Sequence, residues 1–393
     1  MQSFGRIPVN TSRVVLGVSP LALGLGFYSV AIPVFLPLGG MSVTKLGAIL
    51  TTAGLTTVLL SIPFAILSDR YGRKLLMVLG SILSVVVLIV PGFTSEFLPL
   101  ELSAIVGGVG EAMYMSTWNA YLADTTTGEA RAAAFSLSFV TFTLASGVGS
   151  FLPAIFPLLP LRLLDAHRLF FVLLAILALA TAVSVLRWAR DVPPKTSRKG
   201  ILPHKSLGII AKFSTANMMI GLGAGLIIPL IPTWFYLRFN ATDVFSGPLI
   251  AVSNIAMGLA AVVSPIIARR IGLVKGIVAT QIFSTIFLFA MPFTSAALIA
   301  GPIYVVRAML MNMSSPLSDT FLMNMIAEDE RATASSFNVV IWRLPNSAST
   351  VIGGSLLNSG DLSLPFYLCT MLYIASITLF YALFRNAEKK SVA

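Results

Sequence analysis

Charge is scarce in this 393-residue sequence: Asp, Glu, Lys and Arg make up 10% of it, while 56% is hydrophobic. A soluble domain carries about 25% charged residues, so one large water-soluble core is excluded and a chain that crosses a membrane many times is indicated. Cysteine occurs once, as Cys369, which leaves no intramolecular disulfide and no thiolate metal cluster. The two histidines, His167 and His204, fall in segments expected on opposite sides of the membrane, so they form no two-His metal site. No Gly-x4-Gly-Lys-Ser/Thr loop is present, which excludes an ATP-driven pump acting alone. Nothing resembles an enzymatic constellation, and no cofactor or metal is expected. The formal charge of +11 invites a nucleic-acid reading. Its basic residues are scattered over short loops instead of forming one stripe, and no nucleic-acid module is visible.

What is present is a series of continuously apolar runs. A membrane barrel needs period-two alternation, so these runs predict an all-α integral membrane protein. Twelve transmembrane helices are expected, at 14–37, 43–67, 75–93, 98–122, 132–156, 168–189, 206–236, 245–268, 275–293, 297–323, 334–357 and 364–385. Each is long enough to cross a hydrocarbon core about 30 Å thick. The first run is too long for a signal-peptide core and lacks a clear cleavage site, so it is read as a retained span. Residues 190–205, with Pro193-Pro194 and several basic side chains, are the longest polar stretch. They divide residues 1–189, an N-terminal six-helix bundle, from 206–393, a C-terminal one.

The compact knot Ser68-Asp69-Arg70-Tyr71-Gly72-Arg73-Lys74 joins spans two and three. Three of its charges are basic, which places it in the cytoplasm by the positive-inside rule. If both termini and the linker share that side, all but six of the 26 Lys and Arg lie there or at adjoining helix ends. The exceptions are Lys45, Arg162, Arg168 and Arg238 on the far side and Arg307 and Arg343 inside spans. The expected location is therefore the cell membrane, multi-pass, with both termini cytoplasmic.

The two halves match at an offset of 200 residues: Gly47 with Gly247, Arg70-Tyr71-Gly72 with Arg270-Ile271-Gly272, Asn119 with Asp319, Arg131 with Arg331. Their starts agree too, Gly24-Leu25-Gly26 and Ile32-Pro33 against Gly221-Leu222-Gly223 and Ile228-Pro229. The bundles are thus copies of one unit, pseudo-symmetric, and parallel repeats of this kind place a substrate site at their interface near mid-membrane. Pro33 and Pro229 read as hinges or kinks, since proline removes a helical hydrogen bond.

The stretch Ala65 to Lys74 resembles the signature between helices two and three of the major facilitator superfamily: a glycine, then aspartate-arginine, then glycine-arginine and a further basic residue. Ala65 stands at the leading glycine, where a small residue still permits close packing. The resemblance extends to the whole chain through its length, spans, linker, degenerate second copy at Arg269 to Lys275, and the entries Glu129-Ala130-Arg131 and Glu330-Arg331. Its compact size is most similar to the drug-proton antiporter branch. That branch's helix-four arginine-x3-glycine falls at Ala104 and Gly108, so the arginine is absent, although Arg307-x3-Met311 is similar in span ten. Of the antiporter helix-five pattern, Gly147-Val148-Gly149 with Pro153 remains. The resemblance implies that Asp69, with Arg70, Gly72 and Arg73, forms a conformational latch; an ordinary solvated turn is the alternative.

Within the spans, Glu111 is the carboxylate nearest a helix centre. A charge there costs roughly 2.5 to 3.5 kcal/mol on insertion scales, so it should face a cavity, pair with a cation or carry a proton. Tyr114, Met115 and Trp118 fall on its helical face at i+3, i+4 and i+7. It is the proton-coupling candidate, with a structural glutamate as the alternative. Arg307 shares a face with Met311, Ser314 and Ser318 and, unable to deprotonate, needs an acceptor: Glu111, an anionic substrate or backbone carbonyls. Bracing of the C-terminal bundle is the other reading of Arg307. Arg343, with Asp319 as its candidate partner, reads as structural or gating. Tyr28, Asn217 and Asn312 join the cavity candidates because they belong to the first helix of a triplet that lines the cavity in the family resembled. Asn119, Asn254, Gln281, Asn338, Trp342 and Asn346 form a weaker polar set, as often interhelical glue as ligand contacts.

The expected function is secondary active transport of a small molecule by rocker-switch alternating access, as a monomer in a lipid bilayer, leading with proton-coupled efflux of lipophilic compounds. Uptake or facilitated passage of a metabolite or organic anion, and a non-transporting membrane sensor on the same scaffold, remain alternatives.

Overall fold

The computed structural model describes residues 7–190, 206–327 and 330–386. Apart from Arg190, the linker read at 190–205 lies outside the described residues, as does His204. Every regular element among the described residues is helical. The chain divides into two compact units, Met1–Ser197 with Asp243–Ala251, and Arg198–Thr242 with Val252–Ala393.

In the first unit the helices are α1 (Val9–Leu16), α2 (Ser19–Leu38), α3 (Val43–Tyr71), α4 (Arg73–Ser84), α5 (Val86–Phe93), α6 (Phe97–Thr125), α7 (Gly128–Phe151) and α8 (Leu163–Trp188). A 3-10 segment, Leu152–Leu158, extends α7 through Pro153 and Pro157. In the second half of the chain follow α9 (Leu207–Ile227), α10 (Ile231–Phe239), α11 (Asp243–Ile271), α12 (Leu273–Ala290), α13 (Ala297–Met325), α14 (Arg331–Asn358) and α15 (Leu364–Phe384). The first nine residues of α11 belong to the first unit.

Ten of these stretches are long and apolar enough to cross a membrane. Helices α6 and α14 are equally long but more polar; with them, the helices coincide in position with the twelve expected spans. Large apolar side chains such as Leu102, Phe139, Ile176, Leu259, Ile286 and Ile374 stand exposed, as on a surface solvated by lipid.

The repeat seen in the sequence is written into the backbone. Helices α3 and α11 are each 29 residues long and begin 200 positions apart, and so do α6 and α13. Gly72, between α3 and α4, has φ 93° and ψ 161°; Gly272, between α11 and α12, has φ 86° and ψ 166°. A side chain is strained at that positive φ, so glycine is required at both corners. The two prolines behave differently from each other. Pro229 ends α9, with a 3-10 turn Ile228–Leu230 before α10, whereas Pro33 sits inside an unbroken α2.

Between helices that share a hydrocarbon solvent, close contact supplies much of the association energy. In the first unit α2 packs on α7 and α8, while α3 and α4 pack on α6. A Cβ on Gly26 would stand 2.0 Å from the Ser146 carbonyl oxygen, and one on Gly149 1.9 Å from that of Leu23. Ser150 Oγ donates to the Gly26 carbonyl at 3.1 Å. The second unit repeats the device between α9 and α14. There a Cβ on Gly225 would meet the Asn346 carbonyl oxygen at 1.9 Å and one on Gly353 that of Leu226 at 1.9 Å, while Ser349 Oγ donates to the Leu222 carbonyl at 2.8 Å.

Gly147, two residues from Gly149, has nothing within 4 Å of its Cβ position. Gly149→Ala therefore lowers thermal stability in detergent by about 1 to 3 kcal/mol through overpacking, while Gly147→Ala leaves it unchanged or slightly raised. Equal melting temperatures for the two variants would contradict the close crossing.

Candidate functional site

The polar knot after α3 is less solvated than its sequence suggests. Arg73, the first residue of α4, is 7% exposed. Its Nη2 pairs with Asp69 Oδ1 at 2.5 Å, its Nη1 donates to Ser68 Oγ at 2.7 Å, and its Nε donates to Asp124 Oδ2 at 3.2 Å. One guanidinium thus ties the ends of α3, α4 and α6 together, a use of the rigid fork that lysine cannot copy. Arg70 stays exposed on the last turn of α3, and Gly72 makes the corner. On the same side Arg131 donates to the carbonyls of Ala123 and Thr126, fixing the start of α7 against the end of α6.

Glu111 is half-buried near the middle of α6, and Thr57 Oγ1 of α3 donates to its Oε2 at 3.4 Å. Tyr28 on α2 lies within electrostatic reach of it. The residues placed on its helical face separate. Tyr114 and Trp118 turn into the core of the unit, stacked at 5.5 Å and packed with Met77, Tyr121 and Val185, with Met115 against the edge of that cluster. Trp118 Nε1 donates to Ser138 Oγ at 2.8 Å, which pins the indole to α7.

In the second unit Arg307 is 4% exposed. Its Nη2 donates to the Tyr373 hydroxyl at 2.9 Å, and its guanidinium lies 5.8 Å from the centre of that ring. Ser284 Oγ donates to its carbonyl at 2.9 Å, so α12, α13 and α15 meet around it. The acceptor that the structure supplies for Arg307, the Tyr373 hydroxyl, lies within its own unit and was not among those considered from the sequence. Asn217 Nδ2 donates to Asn338 Oδ1 at 2.7 Å, linking α9 to α14. Gln281 Nε2 donates to Ser314 Oγ at 3.3 Å, and Asn312 Nδ2 is used by the Ala308 carbonyl. Asn217, Gln281, Ser318 and Ser376 line a small cleft with Phe213 and Phe380. Met311 is half-buried one turn from Arg307, while Asp319 and Arg343 are both exposed.

Two polar sites escape the sequence reading. Glu101, in the first turns of α6, accepts from Thr52 Oγ1, and its Oε2 is buried without a partner. His167 and Asp243, both fully buried, meet at 2.7 Å. Asp243 falls two residues before the span expected at 245, and so looked like a loop charge. His167 sits 76 positions away, and no local spacing connects the two. Among the described residues no group of three or more His, Cys, Asp or Glu is placed to hold a metal ion.

Residues 14–350 match the family model of the Major Facilitator Superfamily. Multidrug resistance protein 1 of Bacillus subtilis strain 168 is 24% identical over 369 residues, 91% of this chain and 92% of that protein. Quinolone resistance protein NorA of Staphylococcus aureus strain MRSA252 is 30% identical over 135 residues, 33% of this chain and 34% of that protein. The crystal structure of the D-xylose-proton symporter superposes with a TM-score of 0.73 at 13% identity, covering 95% of each chain. That of the nucleoside transporter NupG gives 0.73 at 11% identity over 96% of this chain and 97% of its own.

The contact between Arg307 and Tyr373 predicts a coupled pair. Tyr373→Phe removes the acceptor of a buried cation and costs about 1 to 3 kcal/mol. In an Arg307→Met background the same change costs less, as thermal unfolding of the four proteins in one detergent will show. Additive losses would place the functional partner of Arg307 elsewhere.

Proposed function

As this chain belongs to the Major Facilitator Superfamily, and is accordingly a multi-pass membrane transporter and no enzyme, we propose that it exports lipophilic compounds in exchange for protons by rocker-switch alternating access. In this reading the sequence repeats 1–189 and 206–393 are the moving halves, the protein works as a monomer in the cytoplasmic membrane, and both termini are cytoplasmic. The likeness to a multidrug resistance protein along most of both chains supports the substrate class.

The observation that carries the reading is the unequal treatment of the two mid-span charges. Arg307 is 4% exposed and donates Nη2 to the Tyr373 hydroxyl, while its Nε is buried without a hydrogen-bond partner. Glu111 is partly exposed, and Thr57 Oγ1 lies 3.4 Å from its Oε2. A partly exposed acid and a base enclosed at 4% exposure support neutral or cationic lipophilic cargo over organic anions, with Glu111 as the group on which proton and cargo compete. In this reading Asp69, held by Arg73 at the end of α3, serves the alternating step by exchanging partners between the two states. Such a contact made in one state biases the equilibrium by its differential free energy.

Two substitutions test this in proteoliposomes exporting a lipophilic cation or a quinolone under an imposed pH gradient. Glu111→Gln leaves the protein folded, abolishes the dependence of export on the gradient and lowers the rate about tenfold or more. Asp69→Asn leaves expression intact and lowers the rate in both directions. Wild-type pH dependence in Glu111→Gln would remove that residue from proton coupling.

A further inference from the structure

The fully buried pair His167 and Asp243 is used by none of the chemistry above. His167 lies in the first turns of α8, and its Nδ1 stands 2.7 Å from the Leu163 carbonyl oxygen. A carbonyl only accepts, so Nδ1 carries a hydrogen. Nε2 then faces Asp243 Oδ2 at 2.7 Å. A hydrogen bond there needs one proton, either on the imidazole as a cation or on the carboxyl as a neutral acid. In both cases the pair is neutral as a whole. The second carboxyl oxygen, Oδ1, is buried without a hydrogen-bond partner.

The walls of this site are apolar. The ring centres of Phe156, Phe35 and Phe27 lie 4.9, 5.4 and 6.5 Å from that of His167. Helix α2 and the segment Leu152–Leu158 contain no Asp, Glu, Lys, Arg or His, and Tyr28 is the one other titratable side chain on α2. Residues 243–251 contribute Asp243 alone. On α8 itself Arg162, Asp165 and Arg168 are exposed, away from the buried imidazole. Adding or removing a proton therefore leaves a net charge facing aromatic rings, which is strongly unfavourable. The backbone of α11 is pressed against the same unit, since a Cβ on Gly247 would stand 2.4 Å from the Ser150 carbonyl oxygen. The internal repeat supplies a control: the positions equivalent to Asp243 and His167 are Val43 and Tyr367, so the fold does not need the pair.

We propose that His167 and Asp243 form a proton-binding site whose one-proton state holds the first two turns of α11 in the first unit. When those turns separate from α8 and water enters, each group titrates by itself. Above the ordinary histidine range, about pH 6.5, the hydrated pair holds no shared proton, so opening releases one. Between that range and the carboxylate range the hydrated pair also holds one proton, and opening is independent of pH. Raising the pH above about 6.5 thus favours the open arrangement, by up to tenfold per unit. Only the assignment of this opening to a step of the transport cycle rests on the proposed function; the linkage between protonation and opening does not.

The test uses the whole chain in lipid nanodiscs without substrate, with the buried Cys369 replaced by serine and a nitroxide attached at Val244→Cys. The ratio of mobile to immobile spin label is recorded from about pH 5 to about pH 8. It is expected to be constant at the acid end and to rise by up to tenfold per unit above the histidine range. Asp243→Asn, whose amide donates to a neutral Nε2, leaves an imidazole that gains a proton only when hydrated, so the ratio becomes constant above about pH 6.5 and rises as the pH falls below it; His167→Gln, whose enclosed carboxyl keeps its proton until it is hydrated, carries the rise with pH through the acid end and serves if the first variant does not fold. A flat wild-type ratio overturns the proposal irrespective of either variant, and so does a wild-type response in both. Because no cargo is present, failure here is separable from failure of export.

Discussion

The structure depends on how closely two backbones can approach where α2 crosses α7 and where α9 crosses α14. Lipid tails are as apolar as leucine, so burial gives little reason for one membrane helix to prefer another over lipid. Contact area and polar links have to supply the preference. At each crossing a pair of glycines admits a carbonyl oxygen of the facing helix to about 2 Å from where a Cβ would stand, and a serine hydroxyl donates across the gap. The arrangement occurs twice, in units of matching helix lengths, which makes the internal repeat a repeat of packing as well as of sequence. Gly72 and Gly272 add the second shared constraint, a corner at positive φ between a long helix and the next.

Upon that frame the few charges are treated individually. Arg73 meets three oxygens from the ends of α3 and α6, and Arg307 donates to a tyrosine hydroxyl in the second unit. His167 and Asp243 meet at 2.7 Å beside the ring of Phe156. Glu111 is partly exposed near the middle of α6. The proposed exchange assigns the partly exposed charge to cargo or protons and the enclosed ones to packing.

Much of the fold was legible because hydrophobic run length and loop charge are local signals. The twelve runs, the knot at Ser68 to Lys74 and the 200-residue offset all survive in the helices and corners observed. The site was less legible because its pairings are long-range. Helical spacing correctly put Tyr114, Met115 and Trp118 near Glu111 along α6, but could not tell that the two large rings turn toward Met77 and Val185. Spacing likewise gave Arg307 a need for an acceptor without revealing Tyr373, 66 residues later. Pro229 breaks its helix and Pro33 does not, although both sit in the same motif; the sequence context of a proline does not say whether neighbouring turns can absorb the lost bond. Asp243 was hidden by a boundary drawn two residues too late.

The central claim, exchange of protons for a lipophilic cargo, is tested most directly by the internal pH of proteoliposomes while a fluorescent lipophilic cation that does not enter protein-free liposomes on the time of the assay is added outside. Exchange predicts that cargo entering through the protein drives protons out, so that the interior becomes more alkaline in proportion to the cargo taken up. Cargo entry with a constant internal pH, or with acidification, contradicts the account.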